Sequence, residues 1–399
     1  MPSGAPADAV RAAGRRYAAT HPFRAVIDIR REELPQALWM FAYFLLVITT
    51  FWVLKPLKKG LFVTYYDVAG FDLYGWHFIA PEAELLAKSA NVFVAYLAVV
   101  VFSVLSNHYR RQQLTLIFST FFGVSFAVYA VLLDRPGATT VWTFYLLGDL
   151  FNSLMLVTFF AFLNDIVTSD AAKRTYGLVG LGGVLGGVIG STMVVGLSHA
   201  LSLATWLLAC TVAMAAVASI GVVVGGLHAR RIVGDGAALR ETQAAERRST
   251  SHGGNPAVEG MRLVARSPYL LAIVAIVGTY EMVSTILDFQ FSATMSHYLD
   301  GPAIGRGIGL AFAAMNWTAL LVQIFVTSHV MRHHGVAVAL SILPVALLLG
   351  AGSFLIAPVL IIGALIPALD GGLQYSINQS AKESLYVPTT RDEKYRLFA

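Results

Sequence analysis

The chain has 399 residues, of which 57% are hydrophobic and only 13% charged, with a formal net charge of +5 and a mean hydropathy of +0.67. A water-soluble protein of this length would carry about 25% charged residues, so the composition excludes the soluble globular class. The basic excess is not a nucleic-acid signal either, because the lysines and arginines fall in short loops between apolar runs. Those runs approach the ~20 residues that a helix needs to cross a bilayer. They are continuous rather than alternating, which favours helices over a barrel.

Taken in order, residues 1–35 form a polar head with Arg11, Arg15, Arg16, Arg24, Arg30 and Arg31. No apolar stretch follows Met1 within the first thirty residues, so no signal peptide is read there. Spans are predicted near 38–63, 89–106, 114–133, 141–163, 176–197 and 202–226. A hydrophilic stretch, 227–266, contains seven arginines and the Gly/Ser-rich STSHGGN run. It reads as a linker between a six-span half (36–226) and a second half (267–399). Four more spans are predicted near 268–288, 306–327, 335–355 and 358–378, before a charged tail.

The basic residues then alternate. Six lie in the head, two after span 2, two after span 4, seven in the linker, one after span 8 and four in the tail. The opposite side has Lys88, Arg135 and Arg306, the three lysines of span 1 standing apart. By the positive-inside rule this puts the N-terminus, linker and C-terminus in the cytoplasm. The expected location is a bacterial plasma membrane, with the lipid bilayer as the chain's surroundings.

A weak internal repeat joins the halves. Asp149 and Asp370, Thr168 and Thr389, and Lys173 and Lys394 are each 221 residues apart. Parallel repeats split by a long central loop are how major-facilitator transporters are built. The expected fold is therefore an all-α, pseudo-symmetric, major-facilitator-like bundle. If span 10 repeats span 4, two more spans are expected beyond Ala399, ten being present of twelve.

Enzyme signatures are missing. The glycine run 177–190 has phosphate-loop spacing but no lysine, and it sits in an apolar helix. There it is expected to let a neighbouring helix approach closely. His333 and His334 lie in a loop beside Arg332 and read as surface charge. Cys210 stands alone in an apolar run, so neither a disulfide framework nor a metal site follows. No cofactor or metal is implied, and a transporter is the better class than an enzyme.

Charge inside a span is costly and marks function by default. Lys55, Lys58 and Lys59 lie on neighbouring faces of span 1. Lys59, nearest the helix end, is expected to snorkel; Lys55 and Lys58 either snorkel as well or face a cavity. Clustered cations deep in a cavity imply an anionic small-molecule substrate. Asp149 and Glu281 sit mid-span in opposite halves, where they could pair with the lysines or take up protons; Asp149 could also be a structural helix contact. Asp288, read as near a helix end, and Asp370 are weaker candidates.

These residues resemble the ATP/ADP translocase family of plastids and intracellular bacteria, nucleotide exchangers built like major-facilitator proteins. The family's I-L-R-D-T-K-D corresponds to VLKPLKK at the far part of span 1. Its Y-V-x-A-E-L-W-G-S corresponds to YLLGDLFNS in span 4, followed by FLNDIVTSDAAKRTYGLVGLG, and its K-E-M-A-Y-I-P to KESLYVP in the tail. The resemblance implies ATP:ADP antiport by alternating access, with Lys58 and Lys382 on phosphate, Lys55 assisting, and Asp149 and Glu281 as countercharges. It also implies two further spans after the tail motif. Departures are Lys55–Pro56 for the family's Arg-Asp, Asp149 for its glutamate, Phe151 for its tryptophan, Gln374 for a lysine before the Tyr-Ser of span 10, and the absence of several lysines after the span 7 glutamate, in the stretch that holds Ile286 and Asp288. Proton-coupled transport of a smaller organic anion is the rival within the class. A non-transporting membrane anchor or sensor is the rival outside it.

Overall fold

The structure, a computed structural model, describes residues 33–68, 70–167, 169–234 and 267–385. The head's arginines, most of the linker and the end of the tail lie outside the described residues, as do Thr168, Thr389 and Lys394 of the repeat. Among the described residues, ten helices are long and apolar enough to cross a membrane, matching the ten predicted spans. The protein is an integral, multi-pass membrane protein. The helices are α1 (Leu34–Tyr66), α2 (Ala80–His108), α3 (Arg111–Leu132), α4 (Ala138–Ile166), α5 (Ser169–Leu197), α6 (Leu203–Gly234), α7 (Pro268–Tyr298), α8 (Pro302–Leu321), α9 (Gly335–Ile356) and α10 (Leu360–Leu373). A π-helical turn, Val322–Thr327, continues α8 into Ser328–His333, and another, Gln374–Asn378, continues α10 into Gln379–Leu385.

Several helices outrun their predicted lengths, and three of these differences bear on the placement of charged residues. The α7 helix continues ten residues past Asp288, so that carboxylate is well inside the helix and not near its end. The α6 helix runs into the stretch read as linker. The α2 helix starts at Ala80 rather than near residue 89, because Pro81 is placed in its first turn and Glu82 reaches back to accept from the Ile79 amide at 3.1 Å. Both are helix-start devices. Glu84 and Lys88, which looked like loop residues, thereby become helical.

Between α1 and α2 the chain makes a small antiparallel hairpin, β1 (Phe71–Leu73) with β2 (Trp76–Phe78), in register Phe71 to Phe78. Its two-residue turn holds Tyr74 and Gly75 at positive φ, +50° and +86°, the backbone that tight hairpins require. This hairpin marks one end of the bundle. There Thr64 donates to the Gly301 carbonyl at 3.3 Å and the Trp142 indole donates to Tyr66 at 2.9 Å.

Three apolar cores divide the interior. One is built wholly from α1–α6, around Tyr43, Phe122, Phe151 and Phe159. A second belongs to α7, α9 and the α10 region, around Leu343, Ile366 and Ile377. The third joins the two groups: Phe62, Val63, Tyr66, Ala83 and Tyr145 pack with Met295, Ile304 and Ile308. All of these lie toward the hairpin end of their helices. The bundle is therefore sealed across its two groups at the hairpin end, while the other two cores each stay within one group.

The glycines of α5 do what their spacing suggests. A Cβ on Gly190 would stand 2.6 Å from the Thr49 carbonyl oxygen, and one on Gly186 2.8 Å from that of Leu45. Successive turns of α5 thus lie directly on the α1 backbone, a contact only small residues permit. Gly180, on another face, has open space around it. Gly190→Ala should lower stability by about 1–3 kcal/mol through overpacking, whereas Gly180→Ala should be neutral or slightly stabilising; thermal unfolding of both variants in one detergent checks the opposite signs.

Candidate functional site

A cavity of about 440 Å³ lies where α1, α2, α4, α7, α8 and α10 converge. Its size is in the range of about 300–1,000 Å³ usual for small-molecule sites. Every carboxylate and lysine singled out in the spans except Lys382 lines it: Lys55, Lys58 and Lys59 from α1, Asp149 from α4, Glu281 and Asp288 from α7, and Asp370 from α10. Glu84 and Lys88 of α2 join them.

At the hairpin side of the cavity the charges form a network. Lys59 Nζ sits 2.7 Å from Glu84 Oε1 and 2.9 Å from Asp288 Oδ2, with its side chain 4% exposed. Lys59 therefore does not snorkel: α1 continues to Tyr66, so the residue lies inside the helix rather than at its end. Lys88 also pairs with Asp288. Glu84, itself buried, accepts from the Tyr145 hydroxyl at 3.1 Å and from Ser292. One buried cluster thus ties α1 and α2 to α7, across the two groups of helices.

Lys58 makes a separate pair with Asp149 and is itself buried. Its ammonium lies 4.3 Å from the centre of the Tyr145 ring and donates to the Tyr145 carbonyl at 3.4 Å. The lysine lies flat against α4 because residue 148 is glycine: a Cβ there would be 2.6 Å from Lys58 Cδ. Lys58 faces the cavity, and Asp149 is an ion-pair partner rather than a bare helix contact.

Lys55 is different. Among the described residues it forms no ion pair; its ammonium sits 4.7 Å from the Trp52 ring and 4.9 Å from that of Phe312. Aromatic faces hold a cation only weakly, by about 0.5–2 kcal/mol, so its charge stays available. Pro56 follows it inside the helix, which removes a backbone donor one turn from the lysines.

On the opposite wall Asp370 accepts from the Tyr280 hydroxyl at 3.0 Å and from Ser284 at 2.8 Å. Glu281 is exposed. Lys382 is not brought to the cavity wall: it lies 5.5 Å over the Tyr280 ring, with Glu281 close enough to act on its charge.

Sequence reasoning missed Glu84, Lys88 and the hydroxyl donors Tyr145, Tyr280, Ser284 and Ser292. A signal for the first two was present: Pro81 and Glu82 start a helix, and Glu84 and Lys88 are four apart on one face of it.

The family described as TLC ATP/ADP transporter matches residues 137–357, which is more than half of the chain. The chain belongs to the TLC ATP/ADP transporter family. Among relatives, ADP,ATP carrier protein 1 of Chlamydia pneumoniae is 23% identical over 431 aligned residues, covering 92% of this chain and 81% of that protein. ADP,ATP carrier protein 2, chloroplastic, of Arabidopsis thaliana is 22% identical over 287, covering 64% and 45%. Among solved structures, a D-xylose-proton symporter superposes with a TM-score of 0.50 at 11% identity, over 91% of this chain and 85% of that one. This places the fold among major-facilitator-like transporters, as the internal repeat suggested.

Lys59→Met should leave Glu84 buried without its cation and cost about 3–5 kcal/mol, while Lys59→Met with Glu84→Gln should recover most of that loss. Unfolding midpoints of the single and double variants read the difference.

Proposed function

We propose that the chain is an antiporter that exchanges ATP for ADP, or related nucleotides, by alternating access around this cavity. The single observation that carries it is a family member's cavity, walled by membrane-length helices and lined by lysines paired with carboxylates. Lys58 and Lys55 hold phosphate oxygens, with Lys382 engaging as the groups of helices move. Asp149 and Glu281 are the countercharges. No bond in the nucleotide is broken, so the site calls for positioned charge and not for a nucleophile or cofactor.

Exchange, rather than one-way passage, follows from the pairing. Lys58 is held by Asp149, and Lys59 by Glu84 and Asp288. Those contacts favour one arrangement of the helices; substrate phosphate supports another by replacing the carboxylates. A ligand shifts a conformational equilibrium only by its differential affinity for the two states, so an empty carrier returns slowly. The hairpin end would face away from the cytoplasm, since Arg110 and Arg111 lie at the other end, in a membrane such as the bacterial plasma membrane.

In proteoliposomes, labelled ATP uptake should require ADP or ATP inside, and Lys58→Ala should reduce it at least tenfold. Uptake that ignores internal nucleotide but follows an imposed pH gradient would replace this function by proton-coupled anion transport.

A further inference from the structure

The two walls of the cavity are oppositely charged. The wall from α1, α2 and α4 carries Lys55, Lys58, Lys59 and Lys88 against Glu84 and Asp149, a net +2 when all are ionised. The wall from α7 and α10 contributes Glu281, Asp288 and Asp370 and no lysine or arginine, a net −3. Asp288 is already paired with Lys59 and Lys88 of the first wall, but Glu281 and Asp370 leave the second wall acidic, so a phosphate chain is favoured against the first. Whatever else a nucleotide carries must meet the second.

That second wall offers a set of groups suited to a base. Asp370, 9% exposed, makes no ion pair among the described residues, and its two hydroxyl donors fill only two of about four acceptor positions. Gln374 lies one turn on. It accepts from Asn378 through Oε1, and its amide NH2 has no partner among the described residues. Tyr375 follows, 52% exposed and lining the cavity, its ring T-shaped against Trp52 with centroids 5.9 Å apart. Gln374 and Tyr375 belong to the π-helical turn, a backbone irregularity that recurs at functional sites.

We propose that Asp370, Gln374 and Tyr375 form the nucleobase subsite and select a base bearing an exocyclic amine. The proposal rests on the nucleotide reading above. Asp370 accepts from the amine, Gln374 donates to the adjacent ring nitrogen, and Tyr375 stacks on the ring. A base with a carbonyl in place of that amine would set oxygen against the carboxylate and leave a buried acceptor unpaired, a mismatch that discriminates strongly.

The test is competitive binding to the purified full chain in nanodiscs by ATP, inosine triphosphate and inorganic triphosphate. Wild type should prefer ATP to inosine triphosphate at least tenfold. Asp370→Asn, whose amide can donate, should bring that ratio to unity or below, with inorganic triphosphate within about threefold of wild type. Tyr375→Leu should weaken both nucleotides and spare inorganic triphosphate, which keeps the question open to test if Asp370→Asn does not fold. An unchanged ratio in Asp370→Asn, or equal loss of ATP and inorganic triphosphate in either variant, overturns the subsite. Equal affinity of wild type for ATP and inosine triphosphate overturns it as well. If wild type binds inorganic triphosphate but neither nucleotide, or none of the three, the nucleotide reading falls and the subsite with it.

Discussion

Burying Lys59 is the constraint around which the rest of the cavity is arranged. An ammonium removed from water is tolerated only if ion pairs and hydrogen bonds replace its hydration. Here the replacements come from three helices at once: Glu84 on α2, Asp288 on α7, and behind them Tyr145 on α4 and Ser292 on α7. No single helix could satisfy it. The polar cluster and the apolar core around Phe62, Met295 and Ile304 therefore form together at the hairpin end, and either one alone would leave the other wet.

Helix spacing makes this possible. Gly186 and Gly190 let α5 lie on the α1 backbone beside Ile48 and Trp52, which fixes α1 next to the stripe that carries Lys55 and Lys59. The lysines then point inward from a helix that cannot rotate freely. Tight packing against α5 and the burial of charge on α1 are two consequences of the same close approach. On the exchange reading this also explains where motion is cheap: not between α1 and α5, but where α1 and α2 meet α7 through charges that a substrate can replace.

The sequence made the spans legible because hydropathy needs only length, and it made Asp149, Glu281 and the α1 lysines legible because charge in such runs is rare. It concealed Glu84 and Lys88, since AELLAK lowers the hydropathy of the very turn where α2 begins. Lys59 was misread for a related reason: α1 has 33 residues, more than the ~20 that cross a bilayer, so distance from the apolar run's end was a poor guide to depth. The link from Glu84 to Ser292 joins residues 208 apart, and nothing periodic announces such a contact. Lys382 came from the resemblance alone, and it lies outside the cavity lining.

The departures from the family motif acquire a physical sense when two neighbours are taken together. Where the family has Ala-Glu, this chain has Gly148–Asp149. Shortening the carboxylate by one methylene would draw it away from Lys58. Replacing alanine by glycine removes the Cβ that would stand 2.6 Å from Lys58 Cδ, so the lysine settles closer to α4 and the pair is kept. The two changes offset each other in reach while preserving charge. The replacement of a family lysine by Gln374 has the opposite character: it removes a cation from a wall that is otherwise acidic. With four lysines and five carboxylates lining the cavity, two of the carboxylates on the lysine wall itself, a polyanion is accommodated by displacing carboxylate partners rather than by a surplus of positive charge. At an effective dielectric near 20, two like charges 4 Å apart repel by about 4 kcal/mol. Keeping Glu281 and Asp370 on the wall away from the phosphates is thus worth as much as an added lysine, while Asp149 and Glu84 stay beside the lysines as the partners that a substrate replaces.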